Sequence, residues 1–315
     1  MSQTPLKCAV VGVGYLGRFH AQKYSALPQA ELIGVCDLNE GQAKKVADEL
    51  SVPYFTDPST LIGQVQAVTI ASTTRSHFEL AKLFLENGVH VNVEKPMTAT
   101  VEEGQKLVDI AKTKNLKLQV GHIERFNPAL IAAQEKLKTP LFIECHRLAP
   151  FNPRGNDVSV VLDLMIHDLD VILSLVQSEP VAVSAVGTKV LTQSPDIANA
   201  RVEFASGAVA NITASRVSTE PQRKFRVFQD SQYLSIDFGN GQVRLMTKTG
   251  EMQENHLPIE KEEWNLEKGD ALKVETEAFI NSILNDQPCL VTGEDGLAAL
   301  KLADLINQKI DERRI

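Results

Sequence analysis

The sequence has few cysteines, no long apolar run and no excess of basic residues. Its four cysteines show no Cys-x-x-Cys spacing, and two of them, Cys8 and Cys36, fall in strand-like apolar runs. This spacing excludes the usual zinc-binding and disulfide-rich patterns. We expect buried, reduced thiols in a cytoplasmic protein, with no metal site and no disulfide framework.

Charge and hydropathy argue against two further classes of protein, those that bind nucleic acid and those that span a membrane. The 32 Lys and Arg against 40 Asp and Glu give a formal net charge of −8, whereas a nucleic-acid-binding protein more often carries a basic face. No apolar run approaches the roughly 20 residues of a membrane span, and the N-terminus lacks the features of a signal peptide. We therefore expect no nucleic-acid or membrane partner. The 315 residues are enough for two domains.

A glycine-rich turn near the N-terminus is typical of dinucleotide binding. An apolar run over 6–11 leads into Gly12-Val13-Gly14-Tyr15-Leu16-Gly17, which fits G-x-G-x-x-G. The first glycine would make the turn, the second would let a pyrophosphate approach the backbone, and the third would let helix and strand pack closely. A helix is predicted over 18–27, and the anion would sit at its N-terminus. The cofactor contacts predicted here are Gly12, Gly14, Tyr15, Leu16 and Gly17.

The next apolar run, over 32–36, ends in Asp37, which follows Gly17 by 20 residues. That is the spacing expected for the acid that binds the adenosine ribose. Its carboxylate would accept hydrogen bonds from the ribose hydroxyls and repel a 2′-phosphate, which favours NAD over NADP. The alternative is that Asp37 is a turn residue or helix N-cap, since Asn39 and Glu40 follow it.

Strands and helices alternate through the first 120 or so residues. Helices are predicted over 40–50, 74–87 and 101–115, and strands over 65–71, 89–93 and 116–120. This alternation predicts a doubly wound parallel sheet, which binds ligands at the carboxyl ends of its strands. Polar residues follow three of these strands, and we predict further cofactor contacts at Ser72, Thr73, His77, Glu94 and Lys95.

The pattern changes after residue 140 to a strand over 141–148, a helix over 160–176 and several short strands. Turns at 205–207 and 239–241 indicate hairpins, and two helices over 272–285 and 294–312 close the chain. We predict an α/β protein in which a Rossmann domain, residues 1–122, precedes an α/β domain, residues 123–315, with a largely antiparallel open sheet. The final helix is a candidate to pack back on the first domain.

Three motifs together resemble the Gfo/Idh/MocA family of NAD(P)-dependent oxidoreductases. They are the glycine-rich turn, Glu94-Lys95-Pro96, and Asp163-x-x-x-His167 on a helix. The resemblance covers the whole chain. It implies that Lys95, Asp163 and His167 are catalytic, that Pro96 follows a cis bond, and that the open sheet face supports a homodimer or homotetramer.

The chemistry of alcohol oxidation also indicates roles for Lys95, Asp163 and His167. Oxidation of a secondary alcohol needs a base for the hydroxyl proton, and His167 is suitable because the ordinary pKa of histidine is about 6.5. Asp163, on the same helix face, would orient His167 or bind the substrate hydroxyl. Lys95 would stabilise the developing alkoxide, and which of Lys95 and His167 takes the proton stays open. The alternatives are a solvated turn lysine and a surface Asp–His hydrogen bond.

Residues 121–128, 152–154 and 163–168 resemble the nucleotide-sugar branch of that family, with Met165 where many members have glycine. That branch forms a 3-keto UDP-linked amino sugar for transamination in lipid A synthesis. Two phosphates need cations, and our candidates are Arg125, Arg147 and Arg154, against the alternative of solvated surface arginines. His122 and Glu124 would line the sugar site or form structural hydrogen bonds.

The sequence therefore predicts an NAD-dependent dehydrogenase of a sugar. Three other functions stay open. They are the oxidation of a free sugar or cyclitol, the reduction of an imine or bilin-type substrate, and a catalytically silent dinucleotide-binding regulator. The presence of Lys95, Asp163 and His167 argues against the regulator.

Overall fold

The computed structural model describes residues 4–152, 158–251, 254 and 258–313. The chain forms two compact units, one from residues 1–123 and 270–297, the other from residues 124–269 and 298–315. The predicted second domain covers all of 123–315, whereas residues 270–297 belong to the first unit. Within the described ranges, no helix has both the length and the apolar character needed to cross a membrane.

The first unit contains a six-stranded parallel sheet in the order β3-β2-β1-β4-β5-β6. Its strands are β1 (Leu6–Val11), β2 (Ala30–Cys36), β3 (Tyr54–Phe55), β4 (Ala67–Ile70), β5 (His90–Glu94) and β6 (Leu118–Gly121). Helices alternate with them: α1 (Tyr15–Ala26), α2 (Glu40–Leu50), α3 (Thr74–Glu86) and α4 (Val101–Thr113). The strand order reverses between β1 and β4, the position at which doubly wound sheets bind ligands. The predicted doubly wound parallel sheet is confirmed.

Residues of the segment 270–297 share a hydrophobic core with this sheet. Cys8 and Val10 of β1 pack with Tyr24 of α1 and with Phe279 and Ile280, all of them buried. The last two belong to α7 (Ala271–Leu284), which is followed by α8 (Gly293–Glu312). The first unit therefore needs α7 to complete its core.

The second unit is built on an eight-stranded sheet in the order β14-β13-β12-β11-β7-β10-β9-β8. The strands are β7 (Phe142–Leu148), β8 (Pro180–Thr188), β9 (Ile197–Phe204), β10 (Val209–Ser215), β11 (Gln222–Gln229), β12 (Gln232–Asp237), β13 (Gln242–Lys248) and β14 (Ile259–Asn265). The described pairings are antiparallel except that β10 pairs with β7 in parallel. The largely antiparallel sheet and both predicted hairpins are confirmed.

Alternation along β7 separates its two faces. Ile143, Cys145 and Arg147 are buried, while Phe142 and Glu144 are partly exposed. The buried side joins a core that includes α5 (Pro128–Gln134), α6 (Ile166–Val176) and residues 299–310 of α8.

Several predicted bounds were wrong. Helix α1 begins at Tyr15 rather than residue 18, because Gly14 serves as its N-cap. Two strands and a helix, β3, β14 and α5, were not predicted. The two residues of β3 are too few to show a period, and β14 is mostly charged and exposed, with the sequence Ile-Glu-Lys-Glu-Glu-Trp-Asn.

Candidate active site

The glycine-rich turn has the geometry that its three glycines predict. Gly12 adopts φ +82°, a conformation that side chains with a Cβ rarely take. A Cβ on Gly17 would overlap the carbonyl oxygen of Gly12, whereas a Cβ on Gly14 would meet nothing within 4 Å. Gly17 therefore allows close packing, and Gly14 faces the open space that a pyrophosphate requires.

A cavity of about 500 Å³ lies at the switch point of the parallel sheet. Its lining includes the glycine-rich turn, the loops after β2 and β4, and apolar side chains that would flank an adenine. The turn contributes Gly12 and Gly14, the two loops contribute the polar residues Asp37, Ser72, Thr73 and Ser76, and the apolar side chains are Leu38, Pro58 and Leu80. Its size and its mix of apolar walls with polar groups suit a nucleotide. The residues present therefore fit NAD.

Asp37 is held in place by two backbone groups. The N–H of Val13 donates to Oδ2 at 2.9 Å, and the N–H of Asn39 donates to Oδ1 at 2.9 Å. The N-cap of α2 is Asn39 rather than Asp37. Asp37 thus makes a turn contact, as the alternative proposed, while its carboxylate lines the cavity, as the ribose-binding hypothesis requires.

The other predicted cofactor contacts of the turn and the next loop lie in two settings. Tyr15 and Leu16 are 65% and 46% exposed at the start of α1. Ser72 and Thr73 line the cavity, and the Ser72 hydroxyl lies 2.8 Å from that of Ser76. Contacts of Tyr15, Leu16, Ser72 and Thr73 with the cofactor stay predictions.

Two predicted cofactor contacts, His77 and Glu94, point elsewhere. His77 is 1% exposed, and its ring nitrogens lie 3.0 Å from the carbonyl oxygen of Pro96 and 3.1 Å from that of Ser72. Glu94 Oε1 lies 2.8 Å from His20 Nε2, and its Oε2 accepts the N–H of Lys95 at 3.3 Å. Both side chains therefore hold the backbone of the turn, and their direct contacts with the cofactor stay predictions.

Lys95 occupies the turn that these two residues hold. It is partly exposed and is followed by a cis bond to Pro96, as predicted. His77 fixes the Pro96 side and Glu94 fixes the Lys95 amide, so the backbone is held on both sides of the lysine.

The second unit places Asp163 and His167 at an irregular point of a helix. Residues Val161–Met165 form a π-helical turn, and α6 continues regularly from Ile166. The sequence predicted an uninterrupted helix over 160–176. Asp163 and His167 are partly exposed, whereas Asp168 and Asp170 are buried. Such π turns occur frequently at functional sites; this one contains Asp163, and His167 follows it in the first turn of α6.

Arg147 is engaged in a buried ion-pair network. Its Nη1 donates to Glu124 Oε1 at 2.8 Å, and its Nε and Nη2 donate to the two oxygens of Asp168 at 2.9 and 2.8 Å. Burial alone would lower the pKa of Arg147, but the charges of Asp168 and Glu124 outweigh it and raise that pKa. Arg147 is 4% exposed, so its guanidinium is occupied by two carboxylates, and its contact with a phosphate stays a prediction.

Glu124 is also committed to the structure. Besides Arg147, it accepts a hydrogen bond from Asn127 Nδ2 at 3.0 Å, and it is 4% exposed. Glu124 therefore forms the structural hydrogen bonds of the alternative, and its role in the sugar site stays a prediction.

The remaining predicted substrate residues differ in their settings. Arg125 lies 3.8 Å from Asp170 and keeps 13% of its side chain exposed. His122 is buried at the end of β6. Arg154 lies outside the described residues, so its role stays a prediction.

Sequence reasoning missed a buried polar network in the first unit. Thr69, Asn92 and Gln119 are polar residues in the middle of short apolar strands, and all three are buried. Such residues need hydrogen-bond partners, and that requirement was the available signal. Their partners include Tyr24 and Glu275.

Comparisons with known proteins agree with this fold. A family model described as an oxidoreductase family with an NAD-binding Rossmann fold matches residues 6–122, and a Gfo/Idh/MocA C-terminal domain model matches residues 134–234. UDP-N-acetylglucosamine 3-dehydrogenase of Acidithiobacillus ferrooxidans is 40% identical over 299 residues, 95% of each chain. A structure of UDP-N-acetylglucosamine 3-dehydrogenase from that organism superposes with a TM-score of 0.91 and 38% identity, covering 98% of this chain and 99% of the other.

A second relative has a different substrate. The NAD(+)-dependent scyllo-inositol 2-dehydrogenase of Bacillus subtilis is 30% identical over 232 residues, 68% of each chain. The matched domains, the glycine-rich turn and the Glu-Lys-Pro turn agree with one conclusion: this chain belongs to the Gfo/Idh/MocA family of oxidoreductases and has an NAD-binding Rossmann fold.

Proposed function

We propose that this chain is an NAD-dependent dehydrogenase that oxidises the C3 hydroxyl of a UDP-linked N-acetylamino sugar. The observation that carries the proposal is the 40% identity to a UDP-N-acetylglucosamine 3-dehydrogenase over 95% of both chains. Identity over nearly the whole length includes the residues after 122, which would select the substrate. The product would be a 3-keto sugar suited to transamination, as in lipid A synthesis, and the enzyme would act in the cytoplasm as a homodimer or homotetramer.

NAD, when bound, supplies the hydride acceptor. Gly12, Gly14 and Asp37 would hold its pyrophosphate and adenosine ribose at the described cavity. The apolar side chains of that cavity would exclude water from the adenine. Because Asp37 carries a negative charge, it would repel the 2′-phosphate of NADP.

Three side chains would act on the alcohol. Lys95 would place a positive charge beside the hydroxyl oxygen and stabilise the alkoxide that develops there. His167 would accept the hydroxyl proton, and Asp163 would orient the imidazole or bind the hydroxyl. An alternative assignment gives the proton to Lys95.

Arg125 and Arg154 remain the candidates for the diphosphate. Arg125 forms an ion pair with Asp170 at 3.8 Å, and 13% of its side chain is exposed. An anionic substrate group that reached this exposed part would add a second negative partner to the same cation. We leave Arg147 out of this assignment because its guanidinium is buried against two carboxylates.

The test is NADH formation by the purified full chain with UDP-N-acetylglucosamine, N-acetylglucosamine, myo-inositol or scyllo-inositol. An aminotransferase would trap the ketone, because the oxidation is uphill. In a parallel reaction without the aminotransferase, borodeuteride reduction of the ketone would place deuterium at the oxidised carbon. The Lys95→Met variant, prepared in parallel, controls for contaminating dehydrogenases.

We expect NADH with the UDP-sugar alone, and deuterium at C3. Turnover of scyllo-inositol or myo-inositol alone would overturn the nucleotide-sugar proposal and favour a cyclitol dehydrogenase. The similarity to the inositol enzyme of Bacillus subtilis is the observation behind that second candidate.

A further inference from the structure

Three neighbouring strands of the first unit carry a row of buried polar side chains. Thr69 of β4 pairs in register with Asn92 of β5, and Asn92 pairs with Gln119 of β6. All three are at most 1% exposed. Buried amides cost free energy unless they are hydrogen-bonded, so the row must have a partner on the helices that cover it.

That partner is Glu275 of α7. Asn92 Nδ2 donates to Glu275 Oε1 at 3.2 Å, and Gln119 Nε2 donates to the Glu275 carbonyl oxygen at 3.3 Å. Glu275 is itself 0% exposed. Nothing in the proposed reaction mechanism uses this buried carboxylate.

Glu275 belongs to a cluster with His20 of α1 and Glu94 of β5. Each of the three offers one donor or acceptor atom, and these atoms lie within 4.8 Å of one another. His20 Nε2 lies 2.8 Å from Glu94 Oε1, and Glu94 Oε2 accepts the Lys95 N–H. The cluster is therefore connected to the backbone of Lys95 through a single carboxylate.

The Glu94 carboxylate lies directly against Gly121. A Cβ on Gly121 would lie 3.1 Å from Glu94 Oε2, which is tighter than an ordinary contact. Glycine at 121 thus lets the carboxylate occupy this position, between β6 and the Lys95 turn.

Two buried atoms in the cluster, His20 Nδ1 and Glu275 Oε2, have no hydrogen-bond partner among the described residues. They are the atoms at which a proton can be gained or lost without breaking an existing hydrogen bond. Burial raises the pKa of Glu275 to about 7, despite the opposing charge of His20. Burial lowers the pKa of His20, but Glu94 and Glu275 outweigh it and the pKa is raised.

Other charged or titratable groups face this cluster. Lys95 and His77 lower the pKa of Glu94 together with His20, against the effect of burial. Tyr24 interacts with Glu275 and with Cys8, and burial keeps the pKa of Tyr24 well above its ordinary value. Glu275 is therefore one group of this cluster whose charge changes near neutral pH.

We propose that His20 and Glu275 are positioning residues for Lys95 and act on it through Glu94. His20 fixes the carboxylate that holds the Lys95 amide. Ionised Glu275 adds a negative charge to the cluster and favours the ammonium form of Lys95. The inference rests on the proposed function in that it takes Lys95 as the catalytic cation.

The test uses two pairs of variants of the full chain. Glu275→Gln keeps the size and the Asn92 hydrogen bond but cannot ionise, and Glu277→Gln on the same helix is its control, because Glu277 pairs with Lys273 at the surface. His20→Met removes the hydrogen bond to Glu94 at similar volume, and His20→Gln can retain a donor.

Two readouts do not depend on turnover. In infrared spectra recorded across neutral pH, the band of a protonated buried carboxyl should disappear as pH rises in the wild type and in Glu277→Gln, and should be missing in Glu275→Gln. Hydrogen exchange of the Lys95 amide should be faster in His20→Met than in the wild type, with His20→Gln in between. An unchanged band in Glu275→Gln, or unchanged exchange in His20→Met, would overturn the inference even if no substrate is found.

Once a substrate is identified, the dependence of kcat on pH gives the third readout. His20→Met should lower kcat by about 10- to 100-fold, the cost of a slightly misplaced catalytic group, with partial recovery in His20→Gln and an unchanged KM for NAD. Glu275→Gln should shift the alkaline limb of the kcat profile to lower pH. A kcat profile identical to that of the wild type would reduce the cluster to a purely structural role and refute the proposal.

Discussion

Arg147 and Asp168 form a bidentate pair, with Nε to Oδ2 at 2.9 Å and Nη2 to Oδ1 at 2.8 Å, and both residues are buried. This pair joins the middle strand β7 to the helix that carries His167. Arg147 therefore stabilises the unit that bears the predicted catalytic pair, and we expect its loss to affect folding rather than substrate affinity.

Arg147→Met should lower the free energy of unfolding by roughly 3–5 kcal/mol, because it leaves Asp168 and Glu124 buried without their cation. Urea denaturation would measure this loss. Arg201→Met is the control, since Arg201 pairs with Glu203 at the surface and such pairs contribute about 0–1 kcal/mol. A stable Arg147→Met protein with a raised KM for the UDP-sugar would restore the phosphate hypothesis.

Asp37→Arg should shift the preference from NAD towards NADP, because it replaces the charge that repels the 2′-phosphate with one that attracts it. The measurement is kcat/KM for both cofactors. Asp48→Arg makes the same charge change on the exposed side of α2 and should leave the preference unaltered. Unchanged NAD selectivity in Asp37→Arg would show that Asp37 does not contact the ribose.

Lys95→Ala should lower kcat by at least about 100-fold, the magnitude typical of a lost group that stabilises developing charge. The affinity for NAD, measured by fluorescence titration, should change little. The exposed Lys45 provides a matched control, Lys45→Ala. Near-normal turnover without Lys95 would remove it from the mechanism.

Glu275 should make stability depend on pH. Its pKa is raised by burial from 4.5 to about 7, so the folded state holds a proton that the unfolded state has released. Its contribution is fully present below pH 4.5 and is lost as pH rises through about 7, by up to roughly 3 kcal/mol. Relative to the wild type, Glu275→Gln should therefore gain stability on going from about pH 5 to about pH 8 in urea denaturation. A constant difference between the two proteins would contradict the raised pKa.

Arg154→Ala should raise KM for the UDP-sugar with a smaller effect on kcat, since a phosphate contact made equally in the ground and transition states affects binding. Arg244→Ala, which removes an exposed arginine paired with Glu263, controls for loss of surface charge. Steady-state kinetics with an unaltered KM would exclude Arg154 from the phosphate site.

Local patterns were sufficient for much of the fold. The apolar run of β1 and the helical period of α2 predicted Leu6–Val11 and Glu40–Leu50 with the bounds that the structure has. The run of β1 is continuous and ends at Gly12, and α2 is an amphipathic helix capped by Asn39. The glycine-rich turn was predictable for the same reason, because each glycine meets a steric requirement that depends only on its neighbours.

The interactions that could not be predicted from the sequence depend on distant contacts. Asn92 and Glu275 are 183 residues apart in the chain, and no local pattern pairs them. Arg147 was predicted to bind phosphate from its charge, yet the alternation along β7 places it on the same face as Ile143 and Cys145. The π turn before Ile166 likewise has no distinguishing composition.

The return of residues 270–297 to the first unit limits how this protein could be recombined with its relatives. A chimera that exchanged residues 1–123 alone would combine one parent's Asn92 and Gln119 with the other parent's α7. The exchanged strands would then pack against a helix from a different protein. Their buried Asn92 and Gln119 side chains would need that helix to carry an acceptor at the position of Glu275. An exchange of the nucleotide-binding unit between relatives therefore has to include both of its segments, 1–123 and 270–297. The family model for this fold covers only residues 6–122 and does not show the second segment.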